Sequence, residues 1–206
     1  MGKALLYAAP PILLWSAVLG RLPALRRRPD DPVLRAYWLA MLTLAGAVTV
    51  AIPPVQQAVD QRVGVSDVAL LLRHLLALGC ACAAQAFLLY PSSSSEEARP
   101  LVRRQLWALV ATLLAMAALF VVGKAHHQGF DILRGPQTGR FVLVYWLLWL
   151  SYLGLALVNA ARLLGRWARL SDNRLLQSGL RLISVGAVVG LGYVGYHLAV
   201  LATSQF

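Results

Sequence analysis

The sequence predicts an all-α fold: a polytopic transmembrane bundle of six membrane-spanning helices in a single domain covering residues 1–206. Three observations lead there. The chain is 59% hydrophobic and only 13% charged, against about a quarter charged in soluble domains. Its apolar residues fall into six stretches of about 20, the length a helix needs to cross ~30 Å of hydrocarbon. Its basic residues crowd into alternate connections between those stretches, which is how topology-setting charges are distributed.

The spans are expected at about 4–20, 33–53, 68–90, 105–123, 141–163 and 182–203. The first holds Pro10-Pro11, which should kink the helix or begin its regular part. The second opens on Asp31-Pro32, an N-cap acceptor before a proline suited to the first turn, and stops at Pro53-Pro54. The third opens after Ser66-Asp67, read as a second capping pair, and stops at Pro91. Residues 91–100, PSSSSEEARP, read as a polar loop. The fifth span should run on past the bilayer to about Leu170, with Arg162, Arg166 and Arg169 on one water-facing stripe and Trp167 at the interface. Ser171-Asp172-Asn173 should turn the chain into the sixth span. All eight acidic residues are assigned to loops.

Orientation follows from the charges. Thirteen Lys and Arg lie in the connections after the first, third and fifth spans, five at the other end, and Arg73 lies within a span. The positive-inside rule places the thirteen in the cytoplasm. Both termini are then extracytoplasmic and the chain is a multi-pass plasma-membrane protein. Lys3 in front of the first span is outweighed by the arginines behind it, and no small-residue site follows, so the segment reads as an uncleaved helix. The formal charge of +11 belongs to span ends facing anionic headgroups, not to one nucleic-acid-binding face. Cys80 and Cys82, two residues apart on a helix, point in different directions and should not pair.

The stretch Arg21-Leu22-Pro23-Ala24-Leu25-Arg26-Arg27-Arg28-Pro29-Asp30-Asp31-Pro32-Val33-Leu34-Arg35, with Asp60-Gln61-Arg62-Val63-Gly64, Leu72-Arg73-His74, Tyr152-Leu153-Gly154-Leu155-Ala156-Leu157-Val158 and Gly179-Leu180-Arg181-Leu182, resembles a family of actinobacterial integral membrane proteins described as transporters or membrane regulators. The resemblance covers nearly the whole chain. Members of that family carry a seventh helix and a cytosolic helical domain, which the resemblance implies beyond Phe206. On that comparison the chain is either a truncated form or one that works without the output domain.

Ionisable groups inside spans are costly and face protein or water. His74, Leu78, Ala81 and Gln85 share a face of the third span, and Arg73 at its outer end reads most simply as a snorkelling side chain. Tyr145, Tyr152 and Asn159 form a seam on the fifth span, with Trp149 and Ala156 between them. Gly186, Gly190, Tyr193 and His197 share a face of the sixth, where the Gly186-x-x-x-Gly190 pair suits close helix packing. Arg73, His74, Gln85, Tyr145, Tyr152 and His197 are therefore the candidate ligand-binding residues of an outward-facing polar pocket between the third, fifth and sixth spans. His74, His126, His127 and His197 all fall on the outer side and are weak metal candidates, with no HExxH or CxxC motif to fix a geometry. No cofactor is indicated. Without a carboxylate inside any span, membrane enzymes and proton-coupled pumps are disfavoured. The sequence thus points to a sensor-like or interaction module in the bilayer, with membrane or cytosolic protein partners. A transporter or transporter subunit is the alternative, which would normally show an internal repeat, and none is visible.

Overall fold

The computed structural model describes residues 2–91, 95–130, 139–170 and 174–203. Among the described residues it is all-helical: α1 (Gly2–Arg27), α2 (Pro32–Val50), α3 (Pro53–Val63), α4 (Val68–Leu89), α5 (Ser95–Ala125), α6 (Arg140–Leu170) and α7 (Arg174–Thr203). Five of these, α2, α4, α5, α6 and α7, are long and apolar enough to cross a membrane. The helix α1 carries Pro10, Pro11 and Pro23 within it and remains helical throughout.

The start of α2 follows the sequence reading. Asp31 Oδ1 accepts from the Val33 and Leu34 amides at 2.9 and 3.1 Å, and Pro32 takes the first helical position, where a missing N–H costs nothing. The stop at Pro53-Pro54 is also a start. Both prolines occupy the first turn of α3, an 11-residue helix that the sequence reading left as loop. It ends on Gly64, whose φ of 74° suits a residue without Cβ.

Two other expectations are corrected. Asp67 occupies the N-cap position of α4 but makes no capping bond. Asp60 of α3 caps instead: its Oδ1 accepts from the Ala69 amide at 2.8 Å and its Oδ2 from the Asp67 amide at 3.2 Å. Residues 95–100 are not loop but the first turns of α5, where Glu96 and Glu97 complement the positive end of the helix dipole. Asp60, Glu96 and Glu97 are therefore helical, although the sequence reading put every acidic residue in loops. The α6 helix does run on to Leu170, and Arg162, Arg166 and Arg169 are exposed along one stripe. The turn expected at 171–173 lies outside the described residues, and α7 begins at Arg174, eight residues before the expected span.

Packing builds the bundle around α4, which contacts α2, α3, α5 and α6; α1 flanks α2 on one side, and α7 flanks α6 on the other. Small residues let α2 and α4 close together. Ala36, Ala40 and Ala47 are buried, Gly46 stands where a Cβ would lie 3.2 Å from Leu76, and Gly79 stands against Thr43. Two indole hydrogen bonds dock α1: Trp15 Nε1 donates to Thr49 Oγ1 and Trp38 Nε1 to the Val18 carbonyl, both at 3.1 Å. The main core lies among α4, α5, α6 and α7, from Leu70 and Leu78 through Met116, Phe120 and Phe130 to Trp146, Trp149 and Val194. Many large apolar side chains face outward, including Leu114, Val121, Leu155 and Val189, as expected of surfaces solvated by lipid.

Candidate functional site

The starts of α4 and α6, the ends of α5 and α7, and α3 come together at one end of the bundle, here called the α3 end. His74 lies on the second turn of α4 and is 1% exposed. Its Nδ1 lies 2.9 Å from the Tyr145 hydroxyl of α6. Its ring stacks on Trp149, with centroids 4.2 Å apart and planes 26° from parallel, and meets Trp146 edge-on at 4.9 Å. On its other side Trp146 lies parallel to His197 of α7, centroids 5.8 Å apart. His197 Nδ1 lies 3.1 Å from the Tyr193 carbonyl one turn earlier.

The arrangement is thus a seam, not a three-sided vestibule. The backbones of α4 and α7 make no close approach among the described residues; Trp146 of α6 stands between the two histidines, and Trp149 between His74 and Tyr193. Positions 145, 146 and 149 recur at helical spacing, so one face of α6 supplies all three rings. The sequence reading took Tyr145 and Trp149 on this face but missed Trp146, whose Nε1 donates to the Phe130 carbonyl at 3.0 Å. The available signal was that a buried indole N–H needs an acceptor.

Of the six candidate residues, the structure brings His74, Tyr145 and His197 into the seam. Arg73 is half-buried next to it, close enough to bear electrostatically on His74, Tyr145 and Tyr193. No described carboxylate forms an ion pair with it. Tyr152 lies deeper, within hydrogen-bond reach of the Cys82 thiol. Gln85 shares the buried face of α4 with His74 but meets α5, where its Oε1 accepts from Gln105 Nε2 at 3.1 Å. Asn159, the last member of the α6 seam read from the sequence, is exposed. Gly190 stands where a Cβ would lie 3.0 Å from Leu157 of α6, whereas nothing lies within 4 Å of a Cβ at Gly186.

Hydrogen-bond accounting leaves four buried side-chain atoms unmet among the described residues, two of them the separate carbonyl oxygens of Gln105 and Gln128. Among the described residues, His74 Nε2 and Trp149 Nε1 are both buried without a partner. They belong to two rings stacked face to face. His74 Nδ1 and the Tyr145 hydroxyl share one hydrogen bond, and the imidazole tautomer sets which of them donates. If the hydroxyl donates, the neutral imidazole carries its proton on Nε2; if Nδ1 donates, Nε2 is an acceptor. The indole nitrogen can only donate. One buried N–H donor, Trp149 Nε1, and one buried imidazole nitrogen, His74 Nε2, are left over. The chemistry that satisfies the indole is an acceptor: a carbonyl, a carboxylate or another small anion. Leaving a buried donor unmet costs ~1–3 kcal/mol.

A polar staple closes this end. Lys124 Nζ sits 2.6 Å from Asp67 Oδ2 and 3.0 Å from Ser66 Oγ, and Asp67 Oδ2 also accepts from the Phe130 amide at 3.2 Å. Phe130 is fully buried against Phe120 and Tyr145. The chain thus runs from Asp60 through the start of α4 to Lys124, Phe130 and Trp146. Lys124 is one of two lysines in an otherwise arginine-based set, the one hint available beforehand. The exposed His126 stacks on Phe141, and His127 takes a left-handed φ of 56°. No group of three or more His, Cys, Asp or Glu positioned to hold a metal occurs among the described residues. Cys80 and Cys82 are both free.

Comparison of the chain with protein-family models, with curated proteins and with solved structures finds no match to any of them. The resemblance read from the sequence therefore rests on its quoted motifs alone.

Proposed function

We propose that this chain is a six-span protein of a bacterial plasma membrane, with both termini outside, and that it works as a sensor-like or interaction module recognising a small acceptor-bearing ligand at the His74–Trp149 seam. In this reading α1 also crosses the bilayer, adding the first expected span to the five helices that are long and apolar enough to do so. Its exposed Ile12, Leu13 and Leu19 suit contact with lipid, and its two indole bonds hold it to the bundle. The α3 end then faces outward, opposite the arginine-rich end.

One observation carries the ligand reading: two buried ring nitrogens without hydrogen-bond partners, His74 Nε2 and Trp149 Nε1, on stacked rings, with the half-buried Arg73 preceding His74 in the chain. A seam kept only for stability would gain from apolar rings of the same shape. Stability given up at a site is a mark of function.

The test uses that asymmetry and needs no ligand in hand. His74→Phe with Tyr145→Phe removes the hydrogen-bonded pair and one unpartnered ring nitrogen while keeping the aromatic packing. The double variant should unfold, reversibly in mixed micelles, at the wild-type midpoint or above it. A loss of more than ~2 kcal/mol would make the pair structural and end the reading. Thermal shifts of the wild-type protein with acetate, pyruvate and succinate supply the second arm: stabilisation by one of them should vanish in the double variant.

A further inference from the structure

Away from the seam, a groove of about 370 Å³ opens between α2, α4 and α5. That lies within the ~300–1,000 Å³ of small-molecule pockets. Its walls are almost wholly apolar, among them Ala36, Leu39, Ala83, Val102 and Leu106, with Thr43 and Cys82 deep inside. Arg35 and Tyr90 also line it, toward the arginine-rich end. Along α2 it runs from Pro32 to Thr43, which is roughly 16 Å at the helical rise. One leaflet of hydrocarbon is about 15 Å deep. The groove is therefore as long as a leaflet and basic where a headgroup would lie.

The charge at its mouth is available. Arg35 is exposed, and its contact with Asp30 is 3.6 Å long between side chains 55% and 99% exposed, a pairing of little energetic weight. On α5 the lining residues Val102, Leu106 and Leu109 recur at helical spacing. Arg99, three residues before Val102 and exposed, continues that face toward the same end. Basic pockets between membrane helices are where anionic headgroups bind.

We infer that the α2–α4–α5 groove holds one acyl chain of an anionic phospholipid, with the headgroup phosphate on Arg35 and Arg99. This rests on the membrane reading but not on the ligand seam. A chain that stays monodisperse without detergent would sink the membrane reading itself, separately from the outcomes below.

The experiment is native mass spectrometry of the full chain extracted from vesicles of dioleoylphosphatidylglycerol and dioleoylphosphatidylcholine in equal amounts. An arginine near the surface contributes a factor of about five toward an anionic lipid. Wild type should therefore retain phosphatidylglycerol roughly tenfold or more over phosphatidylcholine. Arg35→Gln with Arg99→Gln should bring the two near parity, whereas Arg166→Gln with Arg169→Gln, at the same end but outside the groove, should leave the preference in place. Ala83→Leu, which fills the groove, should release both lipids. Inorganic phosphate at millimolar concentration should displace neither, since the acyl chain is part of the contact. Equal retention of the two lipids by the wild-type protein would overturn the inference. So would an equal loss of preference in the Arg166/Arg169 control.

Discussion

The two ends of the bundle are held by different physics. At the α3 end a continuous set of hydrogen bonds and ring contacts links Asp60, Asp67, Lys124, Phe130, Trp146 and His74 across four helices. At the arginine-rich end, Arg26, Arg27, Arg103, Arg166 and Arg169 are exposed, and the first turns of α2 bury the small Ala36 and Ala40. One end specifies a geometry; the other leaves its positive charge exposed. The lesson is that charge count and structural influence are separate quantities. The end with few basic residues makes the lysine–aspartate contact at 2.6 Å, between side chains only 18% and 15% exposed.

The contrast can be broken most directly at Trp146. Trp146→Ala removes the ring between the two histidines and strands the Phe130 carbonyl. Reversible unfolding in mixed micelles should show a loss of about 3–5 kcal/mol. A loss below ~1 kcal/mol would mean that the seam does not hold this end together. Next comes Lys124→Met, which leaves Asp67 half-buried without its cation and should cost about 2–3 kcal/mol, less than a fully buried pair because water still reaches it. Adding Asp67→Asn should recover part of that loss, and a double-mutant cycle with no coupling would contradict the staple. Asp60→Ala should cost about 1–2 kcal/mol through the uncapped start of α4. Hydrogen exchange should then rise at the Asp67 and Ala69 amides, and unchanged protection there would remove Asp60 from the cap. Smallest of all, Arg166→Gln should shift stability by no more than about 0.5 kcal/mol. A larger effect would show that the arginine end carries structure as well as charge.

How much of this could be read beforehand depends on the range of the interaction. Helices α2, α4 and α6 were legible from hydropathy because lipid solvation acts on each segment separately. Asp31-Pro32 was legible because a cap is a contact over two or three residues. The helix α3 was missed because a proline pair is a stop signal for the helix before it and a start signal for the helix after it, and only the first role was read. The early start of α5 was missed because residues 91–100 have the composition of a loop, and composition does not register two glutamates placed on a helix dipole. The Asp67 side chain was assigned to its own helix end, but its partners lie 57 and 63 residues away.

The candidate site divides along the same line. Spacing on α4 identified the face holding His74, Leu78 and Gln85, and all three are buried. Spacing could not say that this face meets α6 at His74 and α5 at Gln85, which separates two residues the sequence had grouped.

By itself the sequence determined that the chain is helical, which segments are apolar enough to span, and where its positive charge accumulates, because each of those is a sum over neighbours along the chain. Tertiary structure alone decided that Asp60 caps α4, that Lys124 meets Asp67, and that Trp146 stands between the histidines while Trp149 Nε1 is left without an acceptor. Those contacts depend on helix rotation and crossing, which packing fixes between segments far apart in the chain.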